Sequence, residues 1–207
     1  MIISHRHKFI FFAVPKTATH TIREALRQHT DENDWEQQVL YGEQYLPFPE
    51  LARLQHGHIS AEQIQPHLDA DVWQNYFKFG FVRNPYDRFV STCFFLNRDN
   101  PAFAESAVRF MKDRLPRDRF QKRVLVRPQH QQLCWPDGEI ALDYVGRYES
   151  LQQSYDEICE RIGISSTELG QKNSSKHATF DSYYDAELQE LVGDFYANDL
   201  RIFNYNN

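Results

Sequence analysis

The chain has 207 residues, 41% hydrophobic and 14% aromatic, enough for one large domain or two small ones, and with 8 glycines and 9 prolines it is neither disordered nor fibrous in composition. A formal net charge of −6 disfavours a nucleic-acid binder. No apolar run approaches the roughly 18 residues needed to cross a bilayer, and the apolar stretch at 9–14 lacks the length and small-residue cleavage site of a signal peptide. Cys93, Cys134 and Cys159 fit neither a disulfide framework nor a close-spaced zinc site, so a reducing, cytoplasmic compartment is expected.

Residues 8–14 (KFIFFAV) form a continuous apolar run short enough for a buried strand, and His5-Arg6-His7 before it reads as a polar N-terminus. Residues 15–21 break the run, and 21–29 read as a helix. A second buried strand is expected at 77–82 (FKFGFV). Asn84-Pro85 ends it and opens a helix with Tyr86, Phe89, Val90 and Phe94 on one face. Residues 143–148 (DYVGRY) suggest a third strand, followed by a helix over 151–162. Apolar residues at helical spacing predict one more helix over 186–200. There is no repeat or linker, so residues 1–207 are read as a single domain. Strands alternating with helices imply a parallel sheet covered on both faces, with ligands at the carboxyl ends of the strands.

Charge is unevenly spread. Between 109 and 127 stand eight basic residues against Asp113 and Asp118, a local +6 in a chain whose total is −6. Two readings stay open for this segment: a solvated helix face, or a field that attracts an anionic ligand.

Two strand-to-helix turns carry residues suited to phosphate or sulfate. In the first, Pro15-Lys16-Thr17-Ala18-Thr19-His20-Thr21 leads into a helix whose first N–H groups have no intrahelical partner and favour an anion. Lys16 adds a charge, and Thr17, Thr19 and Thr21 add hydroxyls. The glycine-rich Walker pattern is absent, and the segment alone is also compatible with a capped turn bearing a surface lysine. In the second, Arg83 stands at a strand end and Ser91 two turns into the following helix. An arginine can fork two donors onto a phosphate and a serine can meet a third oxygen, although Arg83 alone would also suit a surface ion pair. Asp87 and Arg88 are expected to brace the helix start.

Taken together, VPKTATHT after an apolar strand resembles the 5′-phosphosulfate loop of sulfotransferases that use 3′-phosphoadenosine 5′-phosphosulfate (PAPS), and FGFVRNPYDRFVS resembles their 3′-phosphate site. The resemblance is nearest to carbohydrate sulfotransferases of the heparan sulfate 2-O and chondroitin type. It extends through His56-Gly57-His58, VGRYESL at 145–151, and a tail from NSSKHATF at 173–180 to residue 205. It implies a P-loop-like three-layer α/β fold with a central parallel sheet flanked by helices, PAPS as co-substrate, no metal, and a carbohydrate or other hydroxyl acceptor, with an anionic one fitting the basic segment. Carried across residue by residue, Lys16 and Thr17, with the amides of Ala18, Thr19, His20 and Thr21, would hold the 5′-phosphosulfate. Arg83 and Ser91 would hold the 3′-phosphate. A loop at 173–177, with Ser175 and Lys176, would close over the nucleotide. His20 stands where the family usually has a small hydroxyl residue.

Sulfuryl transfer needs a base for the acceptor proton and a cation for charge on the leaving phosphate. Lys16 suits the second task. Histidine suits the first, because its ordinary pKa lies near operating pH, which predicts an acid limb near 6–7. In His56-Gly57-His58 the glycine permits close backbone approach, and an extended backbone would aim both rings the same way. In the resembled 2-O-sulfotransferases this element carries the base, which leaves His56 and His58 as equal candidates here. His-x-His alone would also fit a loop or half of a metal site, but no Cys/His cluster offers a third ligand. The rival classes are a P-loop kinase using ATP and a catalytically silent nucleotide- or glycan-binding module.

Overall fold

The computed structural model describes residues 1–39, 43–170 and 179–205. Five strands, β1 (Ile2–Ser4), β2 (Phe9–Phe12), β3 (Trp35–Glu36), β4 (Phe77–Val82) and β5 (Tyr144–Arg147), form one sheet in the order β3-β1-β2-β4-β5. The helices are α1 (Thr19–Arg27), α2 (Pro49–Ala52), α3 (Ala61–Ile64), α4 (Ala70–Asn75), α5 (Pro85–Leu96), α6 (Phe103–Arg114), α7 (Asp118–Gln121), α8 (His130–Leu133), α9 (Leu151–Ile162), α10 (Ala186–Phe195) and α11 (Ala197–Ile202). They group into two compact units. One comprises Met1–Val82 with Gln129–Gly170 and the other Arg83–Pro128 with the described part of Gln171–Asn207.

The first unit holds the whole sheet. All four residues of β2 are buried, as expected for a strand covered on both faces. β2 runs parallel to β4, with Phe12 opposite Gly80, and β4 runs parallel to β5. The all-parallel expectation is corrected on the other side, where β1 pairs antiparallel with both β2 and β3. The reason is local. His5-Arg6-His7 is not a loose polar start but the tight connection of a hairpin, closed by Lys8 in left-handed backbone (φ 51°). The His5 and Arg6 amides donate to Asp34 Oδ1 at 2.6 and 3.2 Å, and His5 Nδ1 lies 2.8 Å from the Tyr76 hydroxyl.

Alternation along the strands sends Phe9, Phe11, Phe79 and Phe81 to one face, where they pack on Ile22, Ala25 and Leu26 of α1 and on Tyr155, Ile158, Cys159 and Ile162 of α9. Those helix residues recur at three- and four-residue spacing, so each helix presents one apolar stripe. On the opposite face, Leu133 of α8 and Leu142 close over Gly80. α9 ends at Gly163, whose left-handed backbone (φ 70°) suits glycine.

The second unit is helical. Its core joins Phe89, Val90 and Cys93 of α5, Phe103, Ala107 and Met111 of α6, and Leu188, Val192, Tyr196 and Leu200. The single helix expected over 186–200 is two helices broken at Tyr196. That side chain is buried, its hydroxyl donates to the Val126 carbonyl at 2.6 Å, and the guanidinium of Arg88 lies 5.2 Å from its ring centroid.

Candidate active site

After β2 the chain passes through Ala13, Val14 and Pro15 into the turn that opens α1. Lys16 (φ 66°) and Ala18 (φ 59°) both adopt left-handed backbone, which costs a residue with a Cβ about 1–2 kcal/mol. The Thr17 hydroxyl donates to the Val14 carbonyl at 2.9 Å and the residue is buried, so this side chain braces the turn from within. The Ala18 carbonyl accepts the first α1 bond, from Ile22 N–H at 3.1 Å. The N–H groups of Thr19, His20 and Thr21 therefore precede the intrahelical ladder, no side chain caps the helix, and no acid stands in its first turn. They present the positive end of the helix dipole. His20 turns along the helix to Glu24, with Nε2 3.2 Å from a carboxylate oxygen. Thr21 is buried, whereas Lys16, Ala18, Thr19 and His20 are partly exposed. Strained backbone, an uncapped helix start and a lysine fit a phosphate or sulfate group.

His56-Gly57-His58 lies between α2 and α3 in the same unit. A Cβ on Gly57 would stand 2.0 Å from the Gln37 carbonyl oxygen and 2.7 Å from Arg23 Nη2, so only glycine fits, as the sequence suggested. The close approach is filled by hydrogen bonds. Buried Arg23 donates through Nη2 to the carbonyls of Gln37 (3.1 Å) and Gly57 (3.4 Å), and the Gln37 side chain donates to those of Leu51 (2.7 Å) and His56 (3.0 Å). Arg23 and Arg27 converge on Glu36. Burial alone would raise that carboxyl's pKa, but the bonds from Arg27 and Arg23 hold it below the ordinary value.

His58 Nδ1 lies 2.6 Å from the carbonyl oxygen of Ala13, at the root of the Lys16 turn. A carbonyl only accepts, so Nδ1 carries the proton and Nε2 keeps its lone pair. His56 has the opposite tautomer when neutral. Its Nδ1 accepts from the His58 backbone N–H at 3.3 Å, which puts the proton on Nε2. The ring centroids are 6.0 Å apart with an interplanar angle of 31°. Burial pulls the His58 pKa down from 6.5 to about 3; the bond to Ala13 opposes this, and the charges of the Met1 ammonium, Arg23 and His56 reinforce it. An ordinary histidine titration at 6–7 does not describe this ring.

In the second unit Asn84 caps α5, its side chain accepting from Tyr86 N–H at 2.9 Å, with Pro85 in the first turn. Arg83 is buried and forks onto Asp87, Nε and Nη2 each 2.7 Å from a carboxylate oxygen. Ser91 is buried on α5. Arg88 is fully buried and donates to the carbonyls of Leu125 (3.3 Å), Val126 (3.4 Å) and Arg127 (2.8 Å), so it ties α5 to the 125–127 segment rather than to its own helix start. Much of the basic segment is neutralised locally. Lys112 meets Asp185 at 2.7 Å and also Glu187, Arg117 meets Asp113 at 2.6 Å, and Lys122 meets Asp118 at 2.7 Å. Ser175 and Lys176, with the rest of the 173–177 loop, lie outside the described residues.

Sequence reasoning missed Arg23, Gln37 and Gln132, whose bonds to the His-Gly-His element and to Ala13 span long distances along the chain; Gly57 was the one local signal of crowding there. Among the described residues no group of three or more His, Cys, Asp or Glu could hold a metal ion, and no helix is long and apolar enough to cross a membrane.

No significant match was found among curated proteins or among solved structures. The model of the sulfotransferase family matches residues 1–206. With a strained, lysine-bearing turn opening an uncapped helix at one strand end and a family match over essentially its whole length, this chain belongs to the sulfotransferase family.

Proposed function

We propose that the chain transfers a sulfuryl group from PAPS to a hydroxyl of a carbohydrate, on a P-loop-like α/β scaffold, with His58 as general base. One observation carries the reading: the histidine with an accepting Nε2 is bonded through Nδ1 to Ala13, three residues before Lys16. The candidate base and the candidate anion turn are thus anchored to the same strand end. The parallel β2–β4–β5 core supports the P-loop-like layout.

The residues present suit the donor. Lys16 and the amides of Ala18, Thr19, His20 and Thr21 would hold the 5′-phosphosulfate, and Arg83 and Ser91 the 3′-phosphate, while Thr17 shapes the turn. When bound, PAPS supplies the activated sulfuryl group. His58 Nε2 takes the acceptor's hydroxyl proton as the oxygen attacks, and Nδ1–H stays with Ala13, so the ring is held in the tautomer that can accept. Lys16 stabilises negative charge developing on the leaving phosphate. His56, whose outer nitrogen is a donor, is suited to orient the acceptor. The basic segment favours an acceptor that carries negative charge.

Transfer of label from PAPS to a panel of oligosaccharides tests the reading. His58→Ala should lower the rate roughly 10²–10⁴-fold with donor affinity near wild type, and His56→Ala should chiefly raise acceptor KM. Lys16→Ala should depress single-turnover chemistry more than donor binding. If His58→Ala keeps its rate within a few-fold, the base lies elsewhere. Metal-free binding of 3′-phosphoadenosine 5′-phosphate, without binding of ATP, separates this function from a kinase.

A further inference from the structure

The Ala13 carbonyl accepts two hydrogen bonds, from His58 Nδ1 at 2.6 Å and from the side-chain Nε2 of Gln132 at 3.1 Å. A carbonyl oxygen has two lone pairs, so this acceptor is filled. The same Gln132 nitrogen also donates to the Ile59 carbonyl at 3.2 Å. Both hydrogens of the amide are therefore used, one on the strand end that receives the His58 ring and one on the residue that follows His58. Gln132 is buried on α8 next to Leu133, which is itself fully buried and packed at Gly80 of β4.

Three segments far apart in sequence thus meet at one side chain. The bridge opposes the two movements that would spoil the ring's geometry: sliding of residues 58–59 along the end of β2, and rotation of the Ala13 carbonyl away from Nδ1. Gln132 itself points its donors inward and offers none to a substrate.

We propose that Gln132 is a positioning residue, fixing through Ala13 and Ile59 the orientation and tautomer of His58. This rests on the reading of His58 as base. Misplacement of a reacting group by about 1 Å can cost about 10²-fold in rate, so loss of the bridge should be visible in turnover even where the fold survives. The charged groups around the ring are Arg23, His56 and the Met1 ammonium, all of which favour its neutral form. Without Gln132 the Ala13 carbonyl can turn from Nδ1, and the ring is then free to exchange tautomers.

The test uses Gln132→Met, which keeps the side chain's length and removes its donors. The expected result is a kcat at least about tenfold lower with donor and acceptor KM within about threefold. In nitrogen-15 spectra of the donor-free protein, wild-type His58 should be held as the Nδ1–H tautomer, and the variant should show mixed tautomers. If Gln132→Met does not fold, Gln132→Asn, too short to span both carbonyls, carries the same expectations. Wild-type tautomer with kcat within twofold in the variant overturns the proposal, whatever happens to its melting temperature. So does an Nε2–H tautomer for His58 in the wild type. Undiminished rate in His58→Ala would instead remove the base reading, while altered His58 tautomers in Gln132→Met would still show that Gln132 positions the ring.

Discussion

Arg83 and Asp87 form a two-point fork across one turn at the start of α5, both contacts at 2.7 Å, with the guanidinium buried. A buried arginine whose plane is fixed before ligand arrives loses little side-chain entropy on binding a phosphate, and Asp87 keeps its charge compensated meanwhile. An acid in this turn is therefore compatible with the 3′-phosphate site proposed for Arg83.

The first prediction follows from this fork. A charged hydrogen bond contributes roughly 1.5–3 kcal/mol, so Arg83→Ala should weaken binding of 3′-phosphoadenosine 5′-phosphate at least about tenfold and leave 5′-AMP almost unchanged. Arg83→Lys should recover little, because an ammonium cannot hold Asp87 through two parallel bonds and still present a flat edge to phosphate. Calorimetry with both nucleotides checks this. Equal wild-type affinities for the two would remove Arg83 from the 3′-phosphate site.

The second prediction concerns Gly57. With a Cβ 2.0 Å from the Gln37 carbonyl oxygen, Gly57→Ala must push β3's continuation and the His-Gly-His segment apart. Overpacking of this kind typically costs about 1–3 kcal/mol, and here it also strains the Arg23 bonds to the Gln37 and Gly57 carbonyls. Urea unfolding should show a lower midpoint at unchanged slope, with turnover reduced more than donor affinity. An unchanged midpoint would mean that the segment yields without cost.

How far these features were legible depends on the range of the interactions behind them. FIFF and FKFGFV announce buried strands because every residue must be apolar when both faces are covered, and Pro85 and the stripe over 151–162 announce helices by local rules. β1 and β3 escaped because they have three and two residues, and because the β1–β2 turn is made with Lys8 rather than with a glycine or asparagine that would mark it. Pro15 and the threonines marked a turn into α1, but Thr17's inward bond depends on backbone geometry that no residue type encodes. Least visible was the setting of His58. Its carbonyl partner lies 45 residues earlier, and the side chain that shares that carbonyl lies 119 residues from it. Burial of the ring, and with it the displaced pKa, arises only from that long-range assembly.

The third prediction concerns the basic segment. Its pairing with Asp113, Asp118, Asp185 and Glu187 removes part of the charge counted in the sequence, but Arg109, Arg119 and Arg123 are exposed and make no ion pair among the described residues. If these three steer the acceptor, reversing them to Glu should raise KM for sulfated or uronic-acid oligosaccharides and leave donor affinity alone. The effect should fade with salt, as screening shortens electrostatic reach to about 8–10 Å. Neutral sugars that serve equally well at every salt concentration would make the segment a solvated surface only.

The last prediction concerns acid. In the unfolded chain a histidine binds its proton near 6.5, whereas burial holds folded His58 neutral down to about 3. Between those values the unfolded state holds a proton that the folded state lacks. This site's contribution to stability is therefore fully present above about 6.5 and is lost as pH falls, with a slope approaching about 1.4 kcal/mol per pH unit. His58→Asn, whose amide can still donate toward Ala13, should lose that slope and become less acid-sensitive than wild type, which urea unfolding between about pH 5 and 7 would show. Activity should behave differently. Neutral His58 is the form that accepts a proton, so kcat/KM should stay level across that same range where an ordinary histidine base would already be failing. A wild-type rate that drops with an apparent pKa of 6–7 would assign the acid limb to another group and count against His58 as the base.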